Sequence, residues 1–263
     1  MIRVTLLTSN PYNTASRCLP ELVASDRIHV VAVFLAESSP SRFTWNAHKR
    51  KIKKAMKIGI LGALNGIRIR PWFRSEATEH IESLCERWSV PLHRLGALDT
   101  VHAAELFKTA DADLGLSLGN GYIPRRIFSL PRLGMINFHG ERLPEYQNAQ
   151  SIIWPIYNME CTTGFTIHEV DDKIDTGRIL YQEEYPIEFH ATLKATVMAT
   201  TRQTSSKVAR AVRYVCENYD ALITEARLQA NGKSYTTPSF TAFLKMARNN
   251  KKLYKLSRAT GRT

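Results

Sequence analysis

The chain has 263 residues, 44% of them hydrophobic, and a formal net charge of +12, which suits one large or two small domains around a sizeable core. No run approaches the roughly 18 apolar residues that cross a bilayer, which excludes a membrane-spanning helix. Cys18, Cys85, Cys161 and Cys216 lack metal-ligand spacing, and Arg3 and Thr5 interrupt any charged-then-apolar opening, so free thiols in a reducing, cytoplasmic setting are expected. The positive charge is unevenly spread. Residues 38–75 contain ten Lys/Arg and residues 239–263 contain seven, with no acid in either stretch, so the rest of the chain is net acidic. Nucleotide phosphates, an anionic membrane surface and tRNA are candidate partners for such patches. The bland alternative is a solvated helix and a frayed tail.

In chain order, Ile2–Leu7 predicts a first strand, Thr8–Thr14 a turn, and the following residues a helix to about Ala24. Ile28–Leu35 is a near-continuous apolar run, as in a central parallel strand covered on both faces. This strand–helix–strand opening begins a doubly wound α/β sheet, and the absence of G-x-G-x-x-G argues against a nicotinamide cofactor. Residues 45–70 read as a basic helical insertion, with Ile52, Met56, Ile60 and Leu64 at helical spacing. A helix near 76–88, a short strand at Leu92–Leu95, a helix near 102–109 and a fourth parallel strand at Asp113–Leu118 follow.

Gly119 and Gly121 leave that strand, and such glycines let a backbone approach a ligand closely. Met135–His139 predicts a short buried strand and Phe165–Val170 another. Gly177–Ile187 continues as a strand and Thr192–Cys216 as a long amphipathic helix. Asn231-Gly232, between 226–229 and 233–236, signals a hairpin. Phe240–Lys255 reads as a basic amphipathic helix or loose tail.

Strand alternation puts Asn137 and His139 on one face, about 7 Å apart. Asp175 sits in the turn Ile174–Gly177. An amide, an imidazole and a carboxylate gathered at strand ends can polarise a carbonyl, accept a proton and orient the base.

The longer pattern is more specific. Asn137-x-His139-Gly140, Leu143-Pro144, Tyr146, Trp154, Gly164-x-Thr166-x-His168 and Asp175-x-Gly177 come in this order at close spacing. The stretch resembles the core of formyltransferases that use N10-formyltetrahydrofolate, with a looser likeness over residues 1–190. Glu141-Arg142 and Gln147-Asn148 depart from the family pattern, and these positions bear on the acceptor amine.

The resemblance implies a Rossmann-like doubly wound, mostly parallel sheet with a short C-terminal extension of hairpin and helix. Residues 1–190 would form the catalytic domain and 191–263 the C-terminal helix, hairpin and basic tail. It implies catalysis by Asn137, His139 and Asp175, with His168 in support and no metal. It implies folate contacts from Gly119, Tyr122, Ile123, Pro124, Asp171, Asp172 and Ile174. Acceptor contacts would come from Asn10 and Asn13 after the first strand, Lys49 and Lys53 on the basic insertion, and Tyr146 and Gln150 on the pocket wall. Trp154, Cys161 and His190 read as packing residues.

The chain's proportions match the sugar-nucleotide branch of the family. The acceptor implied is a nucleotide-linked 4-amino-4,6-dideoxysugar, such as GDP-perosamine or a dTDP-sugar, for O-antigen synthesis. A methionyl-tRNA-type enzyme would carry a C-terminal barrel, a glycinamide ribonucleotide enzyme would be shorter, and a deformylase would carry a regulatory domain. A non-catalytic binding module on the same fold, RNA-binding by its charge, is the alternative from another class. No tRNA partner is expected. A homodimer is expected, as is peripheral contact with an anionic membrane surface.

Overall fold

The computed structural model describes residues 1–36, 45–73 and 78–259, with the side chains of 45–55 and Lys57 outside that description. Seven strands form one sheet: β1 (Ile2–Thr8), β2 (Ile28–Ala36), β3 (Leu92–Leu95), β4 (Leu114–Ser117), β5 (Met135–His139), β6 (Thr162–Glu169) and β7 (Ile179–Pro186). Their spatial order is β3-β2-β1-β4-β5-β6-β7. The first five strands run parallel, and β6 and β7 add antiparallel at one edge. This is the doubly wound, mostly parallel architecture that the alternating pattern predicts. Strand order reverses between β1 and β4, the crevice where such sheets bind ligands beyond their strand ends.

Nine α-helical segments are described: α1 (Thr14–Val23), α2 (Trp45–Ile69, broken at Gly59, φ 71°), α3 (Ile81–Arg87), α4 (Val101–Ala110), α5 (Arg125–Phe128), α6 (Ile153–Tyr157), α7 (Leu193–Glu217), α8 (Tyr219–Glu225) and α9 (Phe240–Ala259). They cover the sheet because β1 and β4 are apolar on both faces. Val4 and Leu6 pack with Leu19 and Leu22 of α1 and with Val208, Val212 and Val215 of α7. Leu7 and Phe34 pack with Phe107 of α4 and Ile127 of α5 on the other side. Residues before and after 190 therefore share one core. The starts of α4 and α7 are set by Thr100 and Thr192, whose hydroxyls accept the Ala103 and Ala195 N–H groups.

A separate cluster fastens the C-terminal part to the site loop. It joins Ile69, Trp72, Tyr146, Trp154, Tyr235, Phe243 and Met246. Here the expected hairpin is corrected. The segments flanking Asn231-Gly232 do not pair with each other: Arg227 pairs antiparallel with Ile179, and Ser234 pairs with Gln147. Gly232 explains the difference, because a Cβ there would lie 2.2 Å from the Pro144 carbonyl oxygen. The turn is pressed against the loop after β5, so its arms diverge to satisfy other backbones.

Candidate active site

A cleft of about 490 Å3 opens beyond the ends of β4 and β5. Asn137, His139 and Asp175 all line it, with Tyr122, Ile123, Gln150, Asp171 and Ile174. Ser117, Asn120, His168 and Lys173 also reach it, as do Thr236 and Thr237 from the C-terminal segment.

Asn137 is held by a hydrogen-bond chain whose direction can be followed atom by atom. β4 and β5 are in register at Ser117 and Asn137, and β5 and β6 at Asn137 and His168. His168 Nδ1 lies 2.7 Å from the Glu169 carbonyl oxygen, which only accepts, so Nδ1 carries a hydrogen, and Nε2 faces the Asn137 amide nitrogen, which only donates. Asn137 Nδ2 therefore donates to His168 Nε2 over 3.2 Å. On the other side Asn120 Nδ2 donates to Ser117 Oγ at 3.2 Å, and Ser117 Oγ donates to Asn137 Oδ1 at 2.8 Å. Ser9 Oγ anchors the chain at Asn120 Oδ1 at 2.9 Å. The Asn137 oxygen is thus occupied, and its second amide hydrogen is left for the cleft.

His139, 8% exposed, is fixed by its Nε2, which donates to the Tyr146 carbonyl oxygen at 2.8 Å. Its remaining basic nitrogen, Nδ1, lies 3.5 Å from Asp175 Oδ2. Burial pushes the imidazole below its ordinary pKa, against the opposing pull of the Asp175 charge and the Tyr146 carbonyl. The ring is therefore a neutral base at neutral pH whose conjugate acid meets a carboxylate.

Asp175 sits in the left-handed region at φ 56°, which aims its side chain back at the two imidazoles. Oδ1 is 3.6 Å from His168 Nε2, and Oδ2 accepts the Asn148 N–H at 2.8 Å. Burial would raise its pKa, but the net shift is downward, with the nearby His139 and the Asn148 N–H among the causes that lower it. Gly177 makes the turn possible, since a Cβ there would lie 2.0 Å from the Glu169 carbonyl oxygen.

Other expected contacts are placed as follows. Tyr122 and Ile174 are exposed on the cleft wall, and Ile123, largely buried, also lines it. Gly119, at φ 89°, and Pro124, which caps α5, frame the loop without lining the cleft. Asp171 lines the cleft, yet its carboxylate closes its own loop by accepting the Thr176 hydroxyl at 2.7 Å. Asp172 turns away to Arg125 at 3.0 Å.

Tyr146, expected on the acceptor wall, is buried instead, its hydroxyl donating to Glu160 at 2.5 Å and its ring stacked on Tyr235. Its link to the site is the backbone carbonyl that holds His139. Asn10 accepts the Tyr12 N–H and lines neither this cleft nor its neighbour. Asn13 lines a second cleft, of about 120 Å3, with Thr14, Arg17, Gly140 and Ser151. The two clefts share Phe138. Lys49 and Lys53 lie on α2, but their side chains lie outside the described residues.

Sequence reasoning missed Ser117, Asn120, Thr236 and Thr237, and read Asn148 only as a departure that bears on the acceptor. Ser117 could be found only from strand register, and the threonines only from the docking of a distant segment. It also missed what Glu141 does. This fully buried carboxylate accepts the Ile152, Gly164 and Arg142 N–H groups and the Thr163 hydroxyl, tying the loop after β5 to β6. The same loop supplies the Tyr146 carbonyl and the Asn148 N–H. Among the described residues no group of three or more His, Cys, Asp or Glu is arranged to hold a metal ion.

Residues 103–212 match the Formyl transferase family. A methionyl-tRNA formyltransferase of Deinococcus radiodurans is 36% identical over 112 residues, 42% of this chain and 35% of that protein. A GDP-perosamine N-formyltransferase of Brucella melitensis is 39% identical over 79 residues, 30% of each. The chain spans about a third of the length of the curated relatives it matches. In fold it is like glycinamide ribonucleotide transformylase 1 of Symbiobacterium toebii, with a TM-score of 0.57 at 13% identity over 88% of this chain and 95% of that one. A sugar N-formyltransferase from Shewanella sp. gives a TM-score of 0.53 at 14% identity over 95% of this chain and 88% of that one. Asn137, His139 and Asp175 thus lie within residues 103–212, the stretch that matches the Formyl transferase family, and the similar proteins come from more than one branch of it.

Proposed function

We propose that the protein moves the formyl group of N10-formyltetrahydrofolate to the amino group of a nucleotide-linked 4-amino-4,6-dideoxysugar, such as GDP-perosamine or a dTDP-sugar, for O-antigen synthesis. The observation that carries the reading is the oriented Asn137 amide, with one N–H left for the cleft beside a neutral His139 backed by Asp175. The large cleft suits a flat pterin: Tyr122, Ile123, Val170 and Ile174 give it an apolar wall, and Asn120 and Lys173 add polar groups. The bound co-substrate supplies an activated formyl carbon that an amine attacks, with oxyanion formation and loss of the bond to N10.

Asn137 Nδ2 donates to the oxygen as charge develops there, an interaction stronger in the transition state than in the ground state. His139 takes the amine's proton at Nδ1, the nitrogen not committed to Tyr146. Asp175 stabilises the imidazolium across 3.5 Å. The proton then goes to the departing N10.

The smaller cleft supports an acceptor arriving from the α1 side. It joins the N-terminus of α1 to Gly140, beside His139, and helix N-termini favour phosphate. The Brucella melitensis likeness supports a sugar acceptor. The likeness to the Deinococcus radiodurans enzyme, with the basic stretches, favours a second reading in which methionylated tRNA is the acceptor. Both acceptors should be offered with formyltetrahydrofolate and the products weighed by mass spectrometry. A formyl group on the amino sugar with unmodified tRNA supports the first reading. Formylated methionyl-tRNA with an unmodified sugar replaces it.

A further inference from the structure

The second half of α2 presents its aliphatic side to solvent. Ile60, Leu64 and Ile67 follow the i, i+4, i+7 spacing of one helix face, and they are 81%, 59% and 61% exposed. Leu61 extends the face and is also exposed. The opposite side is fixed to the body of the protein. Gly62, Asn65, Gly66 and Ile69 are buried there.

The two glycines set the fit: a Cβ on Gly66 would lie 2.7 Å from Thr237 Cγ2, and one on Gly62 would lie 3.2 Å from Ser239 Cα. The Arg68 guanidinium, 5.1 Å from the Phe243 ring centroid, adds a further clamp. The helix therefore cannot roll its aliphatic side inward without losing this close approach. A helix so anchored, with its largest apolar residues outward, is built to meet something apolar.

The charge around this face says what. In the sequence, residues 38–75 hold no acid, and Lys49, Arg50, Lys51, Lys53, Lys54 and Lys57 precede the aliphatic stripe, on the other side of the break that Gly59 makes at φ 71°. α9, which packs on α2 through Phe243, exposes Lys245, Arg248, Lys251, Lys252 and Lys255, again with no acid from 239 onward. A two-fold contact would set this face against its own copy, basic side to basic side. A nucleic acid would meet aliphatic side chains that offer bases nothing to stack on. An anionic bilayer offers both partners at once, acyl chains for the aliphatics and headgroups for the lysines.

We infer that the outer face of α2, flanked by the basic surface of α9, docks the protein on an anionic bilayer. The contact is interfacial: among the described residues no helix is long and apolar enough to cross a membrane. Neither helix face belongs to the proposed catalytic machinery.

The test uses the full chain and sedimentation with vesicles of phosphatidylcholine alone or with about one-third phosphatidylglycerol. The wild type should bind the anionic vesicles at least ~10-fold more than the neutral ones, and raising salt from about 0.1 to about 0.5 M should release it. Ile60→Ser/Leu64→Ser/Ile67→Ser should weaken binding ~10-fold or more with melting temperature unchanged, because these side chains are already exposed. Lys251→Glu/Lys255→Glu should weaken it independently. Absence of wild-type binding overturns the inference, and so does binding by both variants that equals that of the wild type. A wild-type dimer that the serine variant converts to monomer, seen by light scattering, would assign the face to a second copy instead. Loss of tRNA binding in the serine variant without any vesicle binding would assign it to nucleic acid.

Discussion

Asn137 and His168 face each other across β5 and β6, with Nδ2 and Nε2 3.2 Å apart, and the direction of that bond decides which way the Asn137 amide points. His168 can accept only because its Nδ1–H is given to its neighbour's carbonyl. Asn137 can donate into the cleft only because Ser117 occupies its oxygen. The relay is thus a positioning device for one hydrogen. Ser117→Ala should lower kcat roughly 10-fold, the scale of a misaimed oxyanion donor rather than a lost one, with little change in affinity for a non-reactive folate analogue. Steady-state kinetics beside analogue titration checks this. An unchanged kcat would mean that the amide needs no such guide.

His139→Ala and Asn137→Ala should each cost about 10²-fold or more in turnover, since each removes a group that acts on the reacting atoms. Folding should be kept, as judged by melting. The wild-type pH profile adds a sharper test. Burial holds the His139 pKa below the 6.5 of an ordinary histidine, and the ring must be neutral to accept a proton. The acid limb of kcat/KM should therefore turn down below pH 6.5. A limb centred above 6.5 would place another group in charge.

Asp175→Asn should reduce kcat far more than folate affinity. Asparagine tolerates the left-handed backbone at this position, and its oxygen can still accept the Asn148 N–H, so the turn survives. What is lost is the charge facing His139, which matters once a proton has moved. Equal analogue binding with a large fall in kcat fits this role. Weak analogue binding with kcat kept at saturation would make Asp175 a pocket residue only.

Glu141 gives a stability prediction with a definite sign. Burial raises its pKa from 4.5 to about 7, despite the hydrogen bonds that favour the anion. The folded state therefore binds more protons than the unfolded state between those values. The stability this provides is fully present below pH 4.5 and is lost as pH rises through about 7. The loss is on the order of 3 kcal/mol at most, at about 1.4 kcal/mol per unit. Glu141→Gln should flatten the fall in melting temperature across that window. It should also lower stability overall, by about 1–3 kcal/mol, because an amide NH2 would face N–H donors. Parallel pH slopes in wild type and variant would contradict the assignment.

Much of the fold and the centre of the site were legible in the sequence. Apolar runs such as Ile28–Leu35 can only be covered strands, and Asn137, His139 and Asp175 lie within a short, ordered pattern. What could not be read depends on tertiary neighbours. Ser117 acquires its task from strand register, and Tyr146 acts through a backbone atom that no side-chain pattern reports. Asn231-Gly232 carries a strong local hairpin signal, yet the close approach of Gly232 to Pro144 overrides it. Met56, Ile60 and Leu64 have core-like spacing in the sequence, but Gly59 breaks the helix after Met56, and only the packing of Gly62 and Gly66 reveals that Ile60 and Leu64 face outward.

The central claim, formyl transfer to an amine by the Asn137–His139–Asp175 site, is tested most directly by one mass-spectrometric assay. The full chain is incubated with N10-formyltetrahydrofolate and a panel of amines that includes GDP- and dTDP-linked amino sugars, glycinamide ribonucleotide and methionylated tRNA. The account predicts that one acceptor, a 4-amino-4,6-dideoxysugar nucleotide, gains a single formyl group with the wild type, and about 10²-fold more slowly with Asn137→Ala. Formate release with every acceptor unmodified, or transfer that proceeds equally well in Asn137→Ala and His139→Ala, would contradict it.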